Sequence, residues 1–334
     1  MKAVVLVGGE GTRLRPLTEK VPKPLIPFMN RPFLHHVLDH VARHGVQEVV
    51  LSSSYLEREF ESFLRERRGP PRITWITESV PLGTCGAIAG ARNLLDGTFL
   101  VLNGDVLTDL DLSGLVAVHR QRGAVATIAL APVPDARPYG LVDRDMDGRV
   151  LAFREKPPEA VPGTINAGTY VLEPRALDGV PEGVAVSIER ETFPGLIARG
   201  EPVYSFLWEG YWRDLGTPEA YLRAHLDALE GLISGTAYER PLLAEGARVE
   251  GGASVGPLAV LGPMASVGAG ARVDRSVLHR GARVGEGAVV EDSVLGPASE
   301  VGPEAEVRGA VLADGARVAA GSKVESANVT ADPR

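Results

Sequence analysis

The chain has 334 residues, 44% of them apolar and 23% charged, which is the balance of a globular protein too long for one ordinary domain, so two domains are expected. There are 43 acids against 35 bases, a net charge of −8; this excludes a nucleic-acid binder with a broad basic face but leaves room for a local basic pocket. The single cysteine, Cys85, excludes an internal disulfide and a cysteine-built zinc site, and with no membrane-length apolar run and no signal-peptide pattern the expected compartment is the cytoplasm.

Along the first two thirds, strand-length apolar runs alternate with helical patterns. The runs are 2–7, 46–51, 72–76, 98–102 and 124–130. Between the first two, Phe33, Leu34, Val37, Leu38 and Val41 fall at helical spacing, and Gly45 stops the helix predicted over 32–44. Thr217-Pro218-Glu219 opens another helix, with an N-cap, a proline in the first turn and an acid there. This alternation predicts an α/β domain over 1–235, a Rossmann-like, mostly parallel sheet with helices on both faces. Its ligands should bind at the carboxyl ends of the strands.

Beyond residue 245 the helical patterns end. Val249, Val255, Leu261, Val267 and Val273 recur every six residues, and the rhythm then becomes five, six, six through Leu278, Val284, Val290, Leu295, Val301, Val307, Leu312, Val318 and Val324. One inward aliphatic per short, fixed step predicts hexapeptide repeats in a left-handed parallel β-helix over 246–328. Exposed ends of such a coil leave backbone edges that need a cap or partner, so a homo-oligomer is expected.

Several residues could carry chemistry. Gly8, Gly9, Gly11, Thr12 and Arg13 follow the first strand, and Lys23 comes soon after. Glycines let backbone N–H groups approach an anion, as a phosphate cradle requires. The stretch is neither a dinucleotide fingerprint nor a Walker loop, because Leu14 stands where the former needs glycine and no Gly-Lys-Ser/Thr follows. Asp105 and Asp214 each end a strand-like run, where magnesium-binding carboxylates belong. Glu155 and Asn166 can hold sugar hydroxyls and Lys156 a sugar phosphate. Asp143 to Gly148 imitates a calcium loop, but Arg154 at the twelfth position cannot ligate, so a hairpin turn is expected. His35 and His36 should pack or face solvent, Cys85 should be a small buried residue, and His279 should lie on the surface.

Together these stretches resemble the sugar-1-phosphate nucleotidyltransferases and, within them, the mannose-1-phosphate guanylyltransferases. The resemblance runs through GGEGTRLRPLT (8–18), PKPLIPFMNRPFL (22–34), PLGTCGAIAGA (81–91), VLNGDVL (101–107), FREKP (153–157), INAGTYVLEP (165–174), SIERETFP (187–194), GYWRDLGTPEAYL (210–222) and the β-helix. It implies that a sugar 1-phosphate, expected to be mannose 1-phosphate, attacks the α-phosphorus of a nucleoside triphosphate, expected to be GTP, and pyrophosphate leaves. Arg13 and Lys23 would be the catalytic cations. Gly8, Gly9, Gly11, Thr12, Gly83 and Thr84 would join Arg13 around the nucleotide, and Glu78 would face the base. Gly140, Glu155, Lys156 and Asn166 would hold the sugar phosphate, and Asp105 with Asp214 would bind Mg2+. The alternatives are transfer from dTTP or UTP to glucose 1-phosphate, a noncatalytic nucleotide-sugar sensor, and a bifunctional chain with an acetyltransferase in the β-helix.

Overall fold

The computed structural model describes residues 1–53, 57–78, 80–154 and 157–331. They form two compact units: Met1–Gly9 with Leu34–Trp212, and Glu10–Phe33 with Arg213–Arg334.

The first unit is built on strands β1 (Lys2–Leu6), β2 (Glu48–Ser53), β3 (Arg72–Thr77), β4 (Phe99–Asn103), β5 (Ala126–Val133), β6 (Leu141–Arg144), β7 (Val150–Arg154), β8 (Gly163–Leu172) and β9 (Val203–Leu207). β1, β2 and β4 carry consecutive apolar residues, at 3–6, 49–51 and 99–102, because they are covered on both faces; Ala3, Val4, Val5, Leu51 and Val101 are fully buried. β3, β2, β1 and β4 pair in parallel in that order, and Val4 lies opposite Val50 on one side and Val101 on the other. The chain leaves β1 for β2 and β3 on one side, then returns to place β4 on the other. That reversal is a topological switch point, where an open sheet has its ligand crevice. β8 then adds antiparallel to β4 and carries β5 and β6, with β9 parallel to β5 and β7 antiparallel to β6.

Helices α1 (Phe33–Arg43), α2 (Glu57–Glu66), α3 (Gly83–Gly90), α4 (Leu112–Arg122) and α5 (Phe193–Ala198) accompany the strands. The helix predicted over 32–44 is α1, and Gly45 follows it in the left-handed region (φ 78°). Cys85 and Ile88 of α3 join Val4, Val101, Tyr170 and Phe193 in one apolar core. Cys85 is fully buried, as expected, and burial raises its thiol pKa. His35 packs on Phe63 with ring centroids 4.7 Å apart. The calcium-like stretch is the β6–β7 hairpin turn: Asp145 Oδ1 accepts from the backbone N–H groups of Asp147 and Arg149 at 3.0 and 2.8 Å.

In the second unit, two- and three-residue strands stack into three parallel sheets, the arrangement of a left-handed β-helix. Val273, Val290, Val307 and Val324 lie in register in one sheet, and Leu261, Leu278, Leu295 and Leu312 in another. The five-residue step has a local cause. Arg275, Asp292, Gly309 and Ser326 take φ between 46° and 57°, which turns a corner in one residue fewer. The buried Ser276 and Ser293 seal it: each hydroxyl donates to a carbonyl two residues back, at 2.7 and 2.6 Å, and accepts the N–H of the next coil at 3.1 Å. Helix α6 (Pro218–Glu230) begins at Thr217, whose hydroxyl accepts from Ala220 N–H at 3.2 Å, and stops at Gly231.

Candidate active site

The second unit assembles the cations of the glycine-rich stretch. Gly11 sits in the left-handed region (φ 62°, ψ 32°) and starts a single 3-10 turn, Thr12–Leu14. A Cβ at Gly11 would come within 3.0 Å of both Lys23 Cβ and Thr18 Cγ2, so glycine is required by conformation and by space. Thr18 ties the turn down by donating to Gly11 O at 2.8 Å, and the buried Leu14 anchors it. Arg13 is thereby left two-thirds exposed, with one guanidinium nitrogen 3.5 Å from Asp214 Oδ2. Lys23 is only 8% exposed, and its Nζ lies 3.3 Å from Asp214 Oδ1. One carboxylate thus sits between two cations that are 10 residues apart in sequence and about 200 residues from it.

The segment carrying these cations is fastened to α6 and the β-helix. Lys20 pairs with Asp314 at 2.8 Å, and Asn30 Nδ2 donates to Leu261 O at 3.1 Å. Met29 N–H donates to His225 Nε2 at 3.3 Å, and the Tyr221 hydroxyl donates to Pro27 O. His279 Nε2 lies 3.2 Å from the same hydroxyl. Tyr221 has given its hydrogen to Pro27, so His279 must be the donor and carries its proton on Nε2. Its Nδ1 is buried with no hydrogen-bond partner among the described residues. The surface position expected for His279 is therefore corrected: it is 4% exposed, because the Tyr221 ring stacks over it at 6.0 Å. Burial lowers its pKa to about 4, so it is neutral at pH 7.

In the first unit Gly9, Glu78 and Asp105 follow the carboxyl ends of β1, β3 and β4. Gly8 and Gly9 follow β1, and a Cβ on Gly9 would meet no atom of the described residues within 4 Å. Gly104 N–H donates to Leu6 O at 2.9 Å, which sets the half-buried Asp105 at the end of β4. Asp105 belongs to this unit and Asp214 to the other.

Glu78, after β3, accepts from Ser52 Oγ at 2.8 Å and from Leu82 N–H at 3.0 Å. It therefore holds the turn into α3. Gly83 has a packing reason of its own: with φ 66°, its Cβ would stand 2.8 Å from Val186 O. Thr84 Oγ1 donates to Glu189 Oε2 at 2.9 Å and accepts from Ile188 N–H at 2.8 Å. Asn166, on β8, accepts from Gly168 N–H at 2.9 Å and donates to the Tyr170 hydroxyl at 2.8 Å, which donates on to Glu189 Oε1 at 3.2 Å. The pairing of Leu141 with Ile165 puts Gly140 and Asn166 one residue from the same bridge. Trp212 Nε1 donates to Ala167 O at 2.9 Å, and its ring meets Tyr139 edge-on at 5.5 Å. Glu155 and Lys156 lie outside the described residues.

Sequence reading missed Tyr170, Glu189 and Trp212. Tyr170 reads as strand core and is fully buried. Glu189 and Trp212 stand inside stretches that carry the resemblance, but no spacing singles them out.

The Nucleotidyl transferase family model matches residues 2–231. The chain belongs to that family. A second model, the GMPPB C-terminal domain, matches residues 238–332. The chain is 42% identical over 296 residues to the mannose-1-phosphate guanylyltransferase of Mycobacterium tuberculosis, covering 86% of this chain and 82% of that one. It is 32% identical over 334 residues to the UTP–glucose-1-phosphate uridylyltransferase of Synechocystis, covering 87% and 86%. Among solved structures, HddC from Yersinia pseudotuberculosis complexed with GMP-PN matches with a TM-score of 0.60 and 31% identity, over 67% of this chain and 97% of HddC. The Gly11 turn sets the two cations Arg13 and Lys23 against the single carboxylate of Asp214, a net positive charge.

Proposed function

We propose that the protein transfers a guanylyl group from GTP to mannose 1-phosphate, giving GDP-mannose and pyrophosphate. The observation that carries the transfer is the Arg13–Asp214–Lys23 cluster beside the Gly11 turn. The choice of GTP and mannose 1-phosphate is supported by the similarity to the Mycobacterium enzyme along 86% of the chain.

A phosphate oxygen of the sugar phosphate attacks the α-phosphorus, the bond from that phosphorus to the bridging oxygen of the β-phosphate breaks, and pyrophosphate carries the electron pair away. The attacking phosphate, with a second pKa of about 6, is already mostly ionised at neutral pH, so no general base is needed. Alignment and charge cancellation remain to be supplied. We assign the triphosphate to the backbone of residues 8–12 with Arg13, and the α-phosphate to Lys23. Asn166, Gly140 and Glu155 would face the sugar, with Lys156 on the sugar phosphate. Glu78 would read the base: Ser52 and Leu82 use two acceptor directions of its carboxylate, and about two remain for the neighbouring N1–H and 2-amino donors of guanine.

Asp105 and Asp214 are our candidates for a magnesium site. Carboxylate oxygens suit this hard ion, which is commonly held by one or two carboxylates together with substrate phosphates. When bound, it would offset charge on the α-phosphate. For the β-helix we propose self-association, supported by the exposed Leu243, Val249 and Met264 in its first coils; light scattering would check it.

The similarity to the Synechocystis enzyme keeps UTP with glucose 1-phosphate as the second reading. Pyrophosphate release across four NTPs and a panel of sugar 1-phosphates decides between them. GTP with mannose 1-phosphate should have the highest kcat/KM, and higher turnover of UTP with glucose 1-phosphate would overturn the assignment. In Glu78→Gln the preference for GTP over UTP and dTTP should fall, and an unchanged preference removes Glu78 from base reading.

A further inference from the structure

The polar chain that ends on Asn166 has a direction, and the direction starts at Glu189. An ionised carboxylate only accepts. Glu189 Oε2 takes hydrogens from Thr84 Oγ1 and Ser187 Oγ, both at 2.9 Å, and Oε1 takes the Tyr170 hydroxyl hydrogen at 3.2 Å. Tyr170 is fully buried, so no water can reorient that hydroxyl. With its hydrogen committed to Glu189, the Tyr170 oxygen must accept from its other neighbour, the Asn166 side chain 2.8 Å away. This forces Nδ2 of Asn166 toward Tyr170 and Oδ1 toward Gly168 N–H, which it meets at 2.9 Å. One Nδ2 hydrogen and one Oδ1 lone pair remain on Asn166, in an order that a flipped amide would exchange.

We propose that Glu189 is a positioning residue that, through Tyr170, fixes the amide orientation with which Asn166 meets the sugar. This rests on the assignment of Asn166 to the sugar phosphate made above. Because Thr84 donates to the same carboxylate, α3 and β8 share one anchor. In Glu189→Gln the new amide can donate to the Tyr170 oxygen, so the hydroxyl is free to donate to Asn166 instead, and only the Gly168 N–H is left to favour one amide orientation. Tyr170→Phe removes the relay itself while keeping the ring that packs on Phe193.

The test is steady-state kinetics of pyrophosphate release with GTP and mannose 1-phosphate on the full chain and on both variants and their double. Each single variant should raise KM for the sugar phosphate about tenfold, the scale of one misdirected hydrogen bond, and leave KM for GTP within about twofold. The double should be no worse than either single, because both break one relay. Equal changes in both KM values, a loss confined to kcat, or additive effects in the double would overturn the proposal. If Glu189→Gln does not fold, Tyr170→Phe decides alone, and an unchanged sugar KM there overturns it. Failure of the wild type to turn over any sugar 1-phosphate would instead sink the proposed function.

Discussion

The two units bring polar groups together by different physics. In the second, Arg13, Lys23 and Asp214 meet through charge, at 3.3 and 3.5 Å, with one partner exposed and the other nearly buried. In the first, Asn166, Tyr170, Glu189 and Thr84 meet through directed hydrogen bonds of 2.8–3.2 Å around a fully buried ring. Charge attraction acts over distance with little regard to angle, while a hydrogen bond weakens steeply when bent. The first arrangement would suit the polyphosphate we propose for it, whose oxygens are alike. The second would suit the sugar we propose for it, whose hydroxyls are told apart by where they point.

The largest effect that would sharpen this contrast is at Lys23. Lys23→Ala removes the buried cation and leaves one Asp214 oxygen unpaired, so kcat/KM should fall about 10²–10³-fold, the scale of losing a charge-stabilising donor. The sugar KM, which we assign to the other unit, should hardly move; a change confined to that KM would break the comparison.

Acid should loosen both units, because each holds a neutral buried histidine. Burial lowers the pKa of His40 in the first unit and of His279 in the second from 6.5 to about 4. Between those values the unfolded chain binds protons that the folded chain refuses. Their contribution is therefore whole above pH 6.5 and is lost as pH falls toward 4, by at most about 3 kcal/mol for each. Thermal unfolding against pH should show a falling midpoint over that window, with a flatter slope in His279→Phe. An identical slope would mean that His279 is not neutral in the folded state.

Asp214→Asn should lower turnover by at least about tenfold, near 1.4 kcal/mol of transition-state stabilisation, and weaken the response to magnesium with the fold intact. Normal magnesium-dependent turnover would remove Asp214 from the metal site. The smallest effect should be at the β-helix corner. Ser293→Ala strands Ala310 N–H and should cost about 1–2 kcal/mol in chemical unfolding, with activity unchanged.

Much of the architecture was legible because it is local. The valine and leucine rhythm predicted three in-register sheets, since each coil contacts mainly its neighbours and one repeat reports the next. Consecutive apolar residues announced β1, β2 and β4 because both their faces are covered. The Thr217 cap and the stop at Gly45 could be read from single residues. Arg13, Lys23, Asp105, Asp214 and Asn166 were named from chemistry and resemblance, without knowledge of what each would touch.

The contacts were decided by the tertiary structure. Nothing near His279 in the sequence foretells the Tyr221 ring that buries it, and a hexapeptide repeat is blind to a helix packed on its flank. Tyr170 follows strand periodicity like any core residue, so its hydroxyl, aimed at Glu189, left no periodic trace. Periodicity records which face of an element is dry. The atom that a polar group meets there is set by residues distant in the chain, and so are the direction of the hydrogen bond and the protonation state that follows.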